Sequence, residues 1–405
     1  MSKQNQSYVG PLIIIGILFF VFGFVTWVNG TLITFFKKAF SLDNTGSYLV
    51  TFAFFISYTV MAIPSSEVLK RTGFKKGMSL GLGIMAVGTL IFIPAAQIAS
   101  YPLFLVGLFT IGIGLTLLQT ASNPYATILG PRESAAQRIS FLGIANKMAG
   151  IFSQRIFGGL LLAGSAAATP SEELQKVELP YMILTGVLVV LAAVIWFSKG
   201  LPEVSEEQED APGTTKVIHE SVFSYPNLVL GVVALFCYVG AEVIAGDTII
   251  SYGISLGFPE SEASIFGTYT LWLMLAAYVL GTILIPKYVS QNTCLRVSAI
   301  LGIVGTILAV FTSGFTSVLS IAFLGFANAL VWPAMWPLAL DGLGKFTKIG
   351  SALLIMGISG GAVLPLVYGK LADSIQSTQQ AYWILLPLYL FILYYAYIGY
   401  KKRSW

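Results

Sequence analysis

Twelve separate stretches of this chain are apolar enough and long enough, at about 20 residues each, to cross a bilayer, and this recurrence constrains the fold more than any motif. They run near 11–36, 47–69, 77–97, 101–129, 138–164, 180–198, 226–252, 263–286, 293–313, 315–341, 349–371 and 380–400. Hydrocarbon offers no partner for free backbone groups, so each stretch is expected to be a helix whose hydrogen bonds close within itself. The first is too long for a cleaved signal peptide, and no small-residue cleavage site follows it. With 56% hydrophobic and only 10% charged residues, a soluble enzyme is excluded. The sole histidine, His219, lies in a polar stretch, so clustered imidazoles cannot serve catalysis or bind a metal. Cys237 and Cys294 sit in apolar runs and form no disulfide framework. The basic residues are dispersed rather than striped, which argues against nucleic acid as a partner. The expected class is an all-α polytopic membrane protein with the lipid bilayer as its solvent.

Lysine and arginine set the orientation. With the N-terminus inside, sixteen of the 22 basic residues fall on cytoplasmic segments, while Lys37, Lys38, Lys176 and Lys370 fall outside. Lys147 and Arg155 lie within the fifth stretch. Both termini are therefore expected to be cytoplasmic. The longest polar stretch, 199–225, contains Glu203, Glu206, Glu207, Glu209 and Asp210 and two prolines and reads as a cytoplasmic linker. It separates residues 1–198 from 226–405, each with six stretches. Gln119, Asn123 and Pro124 in the fourth stretch correspond to Asn328, Trp332 and Pro333 in the tenth at a constant offset of 209. Matching Pro- or Gly-interrupted helices in two halves point to a transporter whose central site is exposed alternately to either side.

Ionisable groups inside hydrocarbon cost at least a few kcal/mol each, so they are functional candidates. Glu242 and Asp247 lie in the seventh stretch, Glu242 roughly 21–24 Å from its start and Asp247 about 7 Å further. Their i, i+5 spacing does not share a helix face, although Gly240 and Gly246 permit local unwinding. Carboxylates beside freed carbonyls suit a hard cation such as Na⁺, and either acid can instead carry a proton. Lys147, too deep to snorkel, either pairs with an acid or bonds hydroxyls, and is expected on one face with Arg155. Asn29, Gln119, Asn123, Asn146 and Asn328 can donate and accept together, as vicinal sugar hydroxyls require. Trp27, Trp272, Trp332 and Trp336 fall within stretches, and Trp332 and Trp336, at i, i+4 beside Pro333 and Pro337, are expected to stack on the apolar face of a pyranose. No phosphate-cradling loop occurs. Between the second and third stretches, Lys70-Arg71-Thr72-Gly73-Phe74-Lys75-Lys76 reads as a tight turn at Gly73 with Arg71, Lys75 and Lys76 as a cytoplasmic gate latch.

Leu118-Gln-Thr-Ala-Ser-Asn-Pro-Tyr-Ala-Thr-Ile-Leu-Gly-Pro131 resembles the fourth-span motif of the fucose/glucose–galactose symporter family of the major facilitator superfamily. Phe236-Cys-Tyr-Val-Gly-Ala241 and Gly342-Leu-Gly-Lys-Phe-Thr-Lys-Ile-Gly-Ser351 carry the same likeness, which runs through all twelve stretches. Gly23-Phe-Val-Thr-Trp-Val-Asn-Gly30 and the Glu242/Asp247 pair resemble the bacterial glucose/galactose branch most. The resemblance implies two six-helix bundles and the retained sugar-site amide Asn146. In the fucose–proton symporters a first-span Asp and a fourth-span Glu handle the proton; the matching positions here are Gly30 and Gln119, which do not titrate. The glucose/galactose branch and its animal relatives include sodium-dependent transporters, which implies Na⁺ at Glu242 and Asp247. Arg155 has no counterpart in the likeness. The expected protein is a monomeric secondary importer of glucose- or galactose-type hexoses in a bacterial inner membrane, coupled to Na⁺, and not an enzyme. The alternatives are proton-coupled symport, uncoupled uniport and, more remotely, a sugar sensor that transports nothing.

Overall fold

A computed structural model of the chain describes residues 9–128, 135–162, 170–198, 221–285, 287–343 and 346–405. Most of the 199–225 linker, the side chain of Asn123 and the basic residues Lys3, Arg132, Lys199, Lys216 and Lys345 lie outside the described residues. Every regular element among the described residues is helical.

Among the described residues, ten helical segments are long and apolar enough to cross a membrane. One of them, Leu49–Gln97, has 49 residues, which at 1.5 Å per residue is about twice a bilayer's hydrocarbon thickness. It is two crossings folded at Gly73, whose φ of 76° and ψ of 169° no L side chain adopts cheaply. Ala135–Phe157, extended by a π-helical turn at Gly158–Leu162, supplies the more polar fifth crossing. Twelve crossings result, at the positions expected from hydropathy.

In the first half the second and third crossings pack on the fourth and sixth, and the first on the fifth. In the second half the seventh packs on the eleventh and twelfth, while the tenth is flanked by the eighth and ninth. The halves meet along two seams, the fifth crossing against the eighth and the second against the eleventh. Between the seams the first and seventh crossings face each other, and both are interrupted. The first breaks at Val28 between Val9–Trp27 and Asn29–Ala39; the seventh breaks at Thr248 between Pro226–Asp247 and Ile249–Ser255. The tenth breaks at Leu330, where Pro333 has no N–H for the Ala329 carbonyl. The fourth does not repeat this: it runs unbroken over Tyr101–Ile128, because Pro124 falls in its last turns and removes a single bond.

Contacts between the halves gather on the face opposite the chain termini. There Thr34 meets Ser251 at 2.9 Å, Lys38 reaches Glu260 at 3.1 Å, and the rings of Tyr48 and Tyr368 meet edge to face at 5.6 Å. The protein is therefore sealed on that face, with its central cavity beneath the seal.

Candidate functional site

A cavity of about 140 Å³ lies between the halves at mid-depth. Its first-half wall is Thr26, Trp27, Gln119, Asn146 and Lys147, with Phe55 and Tyr58 from the second crossing. Its second-half wall includes Glu242, Asp247, Val243 and Trp332.

The Lys147 ammonium is 3.4 Å from Glu242 Oε1, and their side chains are only 8% and 15% exposed. Lys147 also lies 4.2 Å from the centre of the Trp27 indole and 5.9 Å from that of Tyr278. One cation is thus held by a carboxylate from the opposite half and by aromatic faces whose quadrupoles attract it. Arg155 does not share this face: eight residues turn a helix by about 800°, leaving an offset near 80°. Lys147 accordingly points into the centre while Arg155 is exposed on the outside of the fold.

Trp27 organises the first-half wall. Its Nε1 donates to Asn146 Oδ1 at 3.3 Å, and Asn146 Nδ2 donates to the Phe19 carbonyl at 3.3 Å. Gln154 Nε2 donates to the Trp27 carbonyl at 3.2 Å, satisfying a backbone acceptor next to the break at Val28. The indole fits because two neighbours lack side chains. A Cβ on Gly150 or on Gly246 would stand 2.6 Å from the ring. Sequence reasoning noted Trp27 as lying within a crossing but did not assign it to the site. The available signal was its place two residues before Asn29; its glycine neighbours come from distant crossings and carry no sequence trace of the contact.

Asp247 is 2% exposed, and its Oδ2 has no hydrogen-bond partner. The Gly30 N–H faces its carboxylate. The backbones are so close here that a Cβ on Gly30 would stand 3.1 Å from Asp247 Cα. Asn29 Oδ1 and Thr31 Oγ1, both buried, are also without partners. Three unpartnered oxygens therefore fall on the two interrupted segments that touch at Gly30 and Asp247. Glu242 and Asp247 both line the cavity despite their i, i+5 spacing.

The remaining expected residues divide. Gln119, Asn146, Lys147 and Trp332 line the cavity. Asn29 is fully buried and Asn328 is also fully buried, its Oδ1 accepting from Tyr389 at 3.0 Å; neither is part of the lining. Trp336 packs on Trp332, ring centres 5.3 Å apart, but is not in the lining. Trp272 is 53% exposed on the outer surface of the fold. Arg71 bonds Glu67 of its own helix at 3.1 Å, and Lys76 lies 5.9 Å from the Trp196 ring in the same half. Lys75 follows Gly73 at the same hairpin.

This is the architecture of a membrane carrier with one site between two helical bundles. The chain belongs to the Major Facilitator Superfamily, whose profile matches residues 15–365, and it is a multi-pass membrane transporter rather than an enzyme. It is 34% identical over 405 residues to the "Glucose/galactose transporter" of Brucella abortus biovar 1 (strain 9-941), covering 99% of this chain and 97% of that one. It is 27% identical to the "L-fucose-proton symporter" of Escherichia coli (strain K12), covering 100% and 95%. Among solved structures, the superfamily transporter FucP in the outward conformation has a TM-score of 0.75 at 26% identity, over 96% of this chain and 99% of that one. A D-xylose-proton symporter with a TM-score of 0.75 is 14% identical, over 98% of this chain and 100% of that one, and shares the fold.

Proposed function

We propose that the protein imports a glucose- or galactose-type hexose together with a monovalent cation, in a bacterial inner membrane with both termini cytoplasmic. The observation that carries this reading is the cavity itself: aromatic faces at Trp27 and Trp332 beside the amides of Gln119 and Asn146. An indole takes the apolar C–H face of a pyranose, and amides serve its hydroxyl rim, which both donates and accepts. At about 140 Å³ the cavity is below the usual range of roughly 300–1,000 Å³ for ligand pockets, so it is too small for a chain of sugars. The Brucella relative's name agrees with this substrate class. The basic-residue distribution supports the orientation, and one chain holds the whole cavity, so a monomer is the transporting unit.

The cation follows from charge. With Lys147, Glu242 and Asp247 ionised, the cavity carries one positive and two negative groups, a net of −1 inside the membrane. Such a charge is expensive unless neutralised. A monovalent cation at Asp247 cancels it and lets the halves close around the sugar, so each ligand raises the affinity for the other. Sodium is the first reading, since Asn29 Oδ1, Thr31 Oγ1 and Asp247 Oδ2 are unpartnered oxygens on the facing breaks. A proton on Asp247 is the second, favoured by the name of the fucose–proton relative. Uptake of labelled glucose into proteoliposomes, with inward Na⁺ and inward H⁺ gradients imposed separately, tests both. Accumulation above equilibrium with Na⁺ alone is expected; accumulation with H⁺ alone moves the proton to Asp247. No accumulation under either gradient refutes coupled hexose transport.

A further inference from the structure

Asp373, near the end of the eleventh crossing, belongs to the second half yet spends its whole carboxylate on the first. Its Oδ1 accepts from the Asn44 backbone N–H at 3.2 Å and from Asn44 Nδ2 at 2.7 Å. Its Oδ2 accepts from the Thr45 backbone N–H at 2.9 Å and from Thr45 Oγ1 at 2.6 Å. All four donors lie in the turn that leads into the second crossing. We propose that Asp373 is the latch that holds the outer side of the transporter shut, by gripping the Asn44-Thr45 turn of the opposite half.

The surroundings are arranged for this grip. Lys37 donates to Asn44 Oδ1, which fixes the amide so that its Nδ2 faces Asp373. Asp43, the neighbouring acid, is occupied locally, accepting from Gly46 N–H at 2.6 Å as the cap of its own helix. The eleventh crossing can lie this close because residue 369 is glycine. A Cβ there would stand 2.5 Å from the Tyr48 ring and 3.1 Å from the Asn44 backbone. Tyr48 and Tyr368 meet beside the grip, and Lys38–Glu260 and Thr34–Ser251 tie the same face at the first and seventh crossings.

Opening the outer side separates the second crossing from the eleventh, so all four bonds to Asp373 break together. The donors include two backbone N–H groups, which makes the contact depend on the position of the turn and not only on side chains. A charge-assisted hydrogen bond is about twice as strong as a neutral one. Asp373 is partly exposed, so water replaces part of what is lost on opening. Removing the carboxylate is therefore expected to raise the ratio of outward-open to outward-closed protein by about tenfold, the shift that corresponds to roughly one such bond. The assignment does not depend on which sugar or cation is carried.

The test is a distance measurement across this face. Spin labels are attached at Ser41→Cys and Ile375→Cys, both exposed positions in opposite halves, with the buried Cys237 and Cys294 replaced by alanine. Pulsed dipolar spectra are then compared for the otherwise unaltered protein, Asp373→Ala and Asp373→Asn. The expected result is a short distance in the first and a longer population, about tenfold enriched, in Asp373→Ala, with Asp373→Asn between them. Asn44→Ala and Thr45→Val test the same contact from the other half, and should shift the distribution in the same direction but less, because the backbone donors remain. A distribution in Asp373→Ala that superimposes on that of the unaltered protein overturns the latch. So does an unaltered protein whose distances are already long, or a donor pair whose variants leave the distribution unmoved.

Discussion

Replacing Lys147 and Glu242 singly and together tests whether they form one unit across the halves. At 3.4 Å and an effective dielectric constant near 20, their attraction is about 5 kcal/mol, against which stands the cost of drying both charges. The pair as a whole is thus nearly neutral for stability, but one member left alone is not. Lys147→Met leaves two uncompensated carboxylates, Glu242 and Asp247, a net of −2 in the cavity. Its expected cost is about 3–5 kcal/mol, the usual price of breaking a buried pair. Glu242→Gln leaves Lys147 with Asp247 as the only charges, a net of zero, with Trp27 still 4.2 Å from the ammonium; its cost should be smaller, about 1–3 kcal/mol. The double variant removes one charge of each sign and should return to within about 1 kcal/mol of the parent. Apparent melting temperatures of the purified protein in detergent read this order, at roughly 2 °C per kcal/mol for a chain of this size. Losses in the double variant equal to the sum of the two single losses would refute the pairing. An equal loss in the two single variants would refute the charge count that includes Asp247.

Trp27→Ala should raise the half-saturation concentration for hexose at least tenfold, because it removes both the stacking face and the donor that orients Asn146; Trp27→Phe should recover most of this, and equal defects in both variants would argue against stacking. Asn328→Ala should leave hexose affinity unchanged while lowering stability by about 1–3 kcal/mol, since the buried Tyr389 hydroxyl loses its acceptor, and a changed affinity with intact stability would return Asn328 to the sugar site.

The twelve crossings, the turn at Gly73 and the presence of charge at mid-depth were all legible in the chain. Each is a property of sequence neighbours: a 20-residue apolar run, a glycine free to take positive φ, or an acid inside such a run. The candidate site was legible as a set of residue types but not as a surface. Gln119, Asn146, Lys147, Glu242, Asp247 and Trp332 do converge on one cavity. Asn29 and Asn328, of the same type, are buried outside its lining, because which side of a buried helix meets the cavity depends on its rotation against neighbours. In a helix apolar on all sides, hydropathy gives no signal of that rotation.

The sequence by itself determined that this chain must be a bundle of membrane-crossing helices, since unbroken apolar runs of about 20 residues match a helical crossing and not the short alternating strands of a barrel. It also determined that a few ionisable groups must lie within that bundle. Only the tertiary structure decided their partners. Lys147 and Glu242 are 95 positions apart, Trp27 and Gly246 lie in different halves, and Asp373 meets Asn44 across 329 residues. These contacts are set by how two six-helix bodies rest against each other. That arrangement depends on small residues such as Gly30, Gly246 and Gly369 allowing close approach, and a single sequence shows a glycine without showing what lies against it.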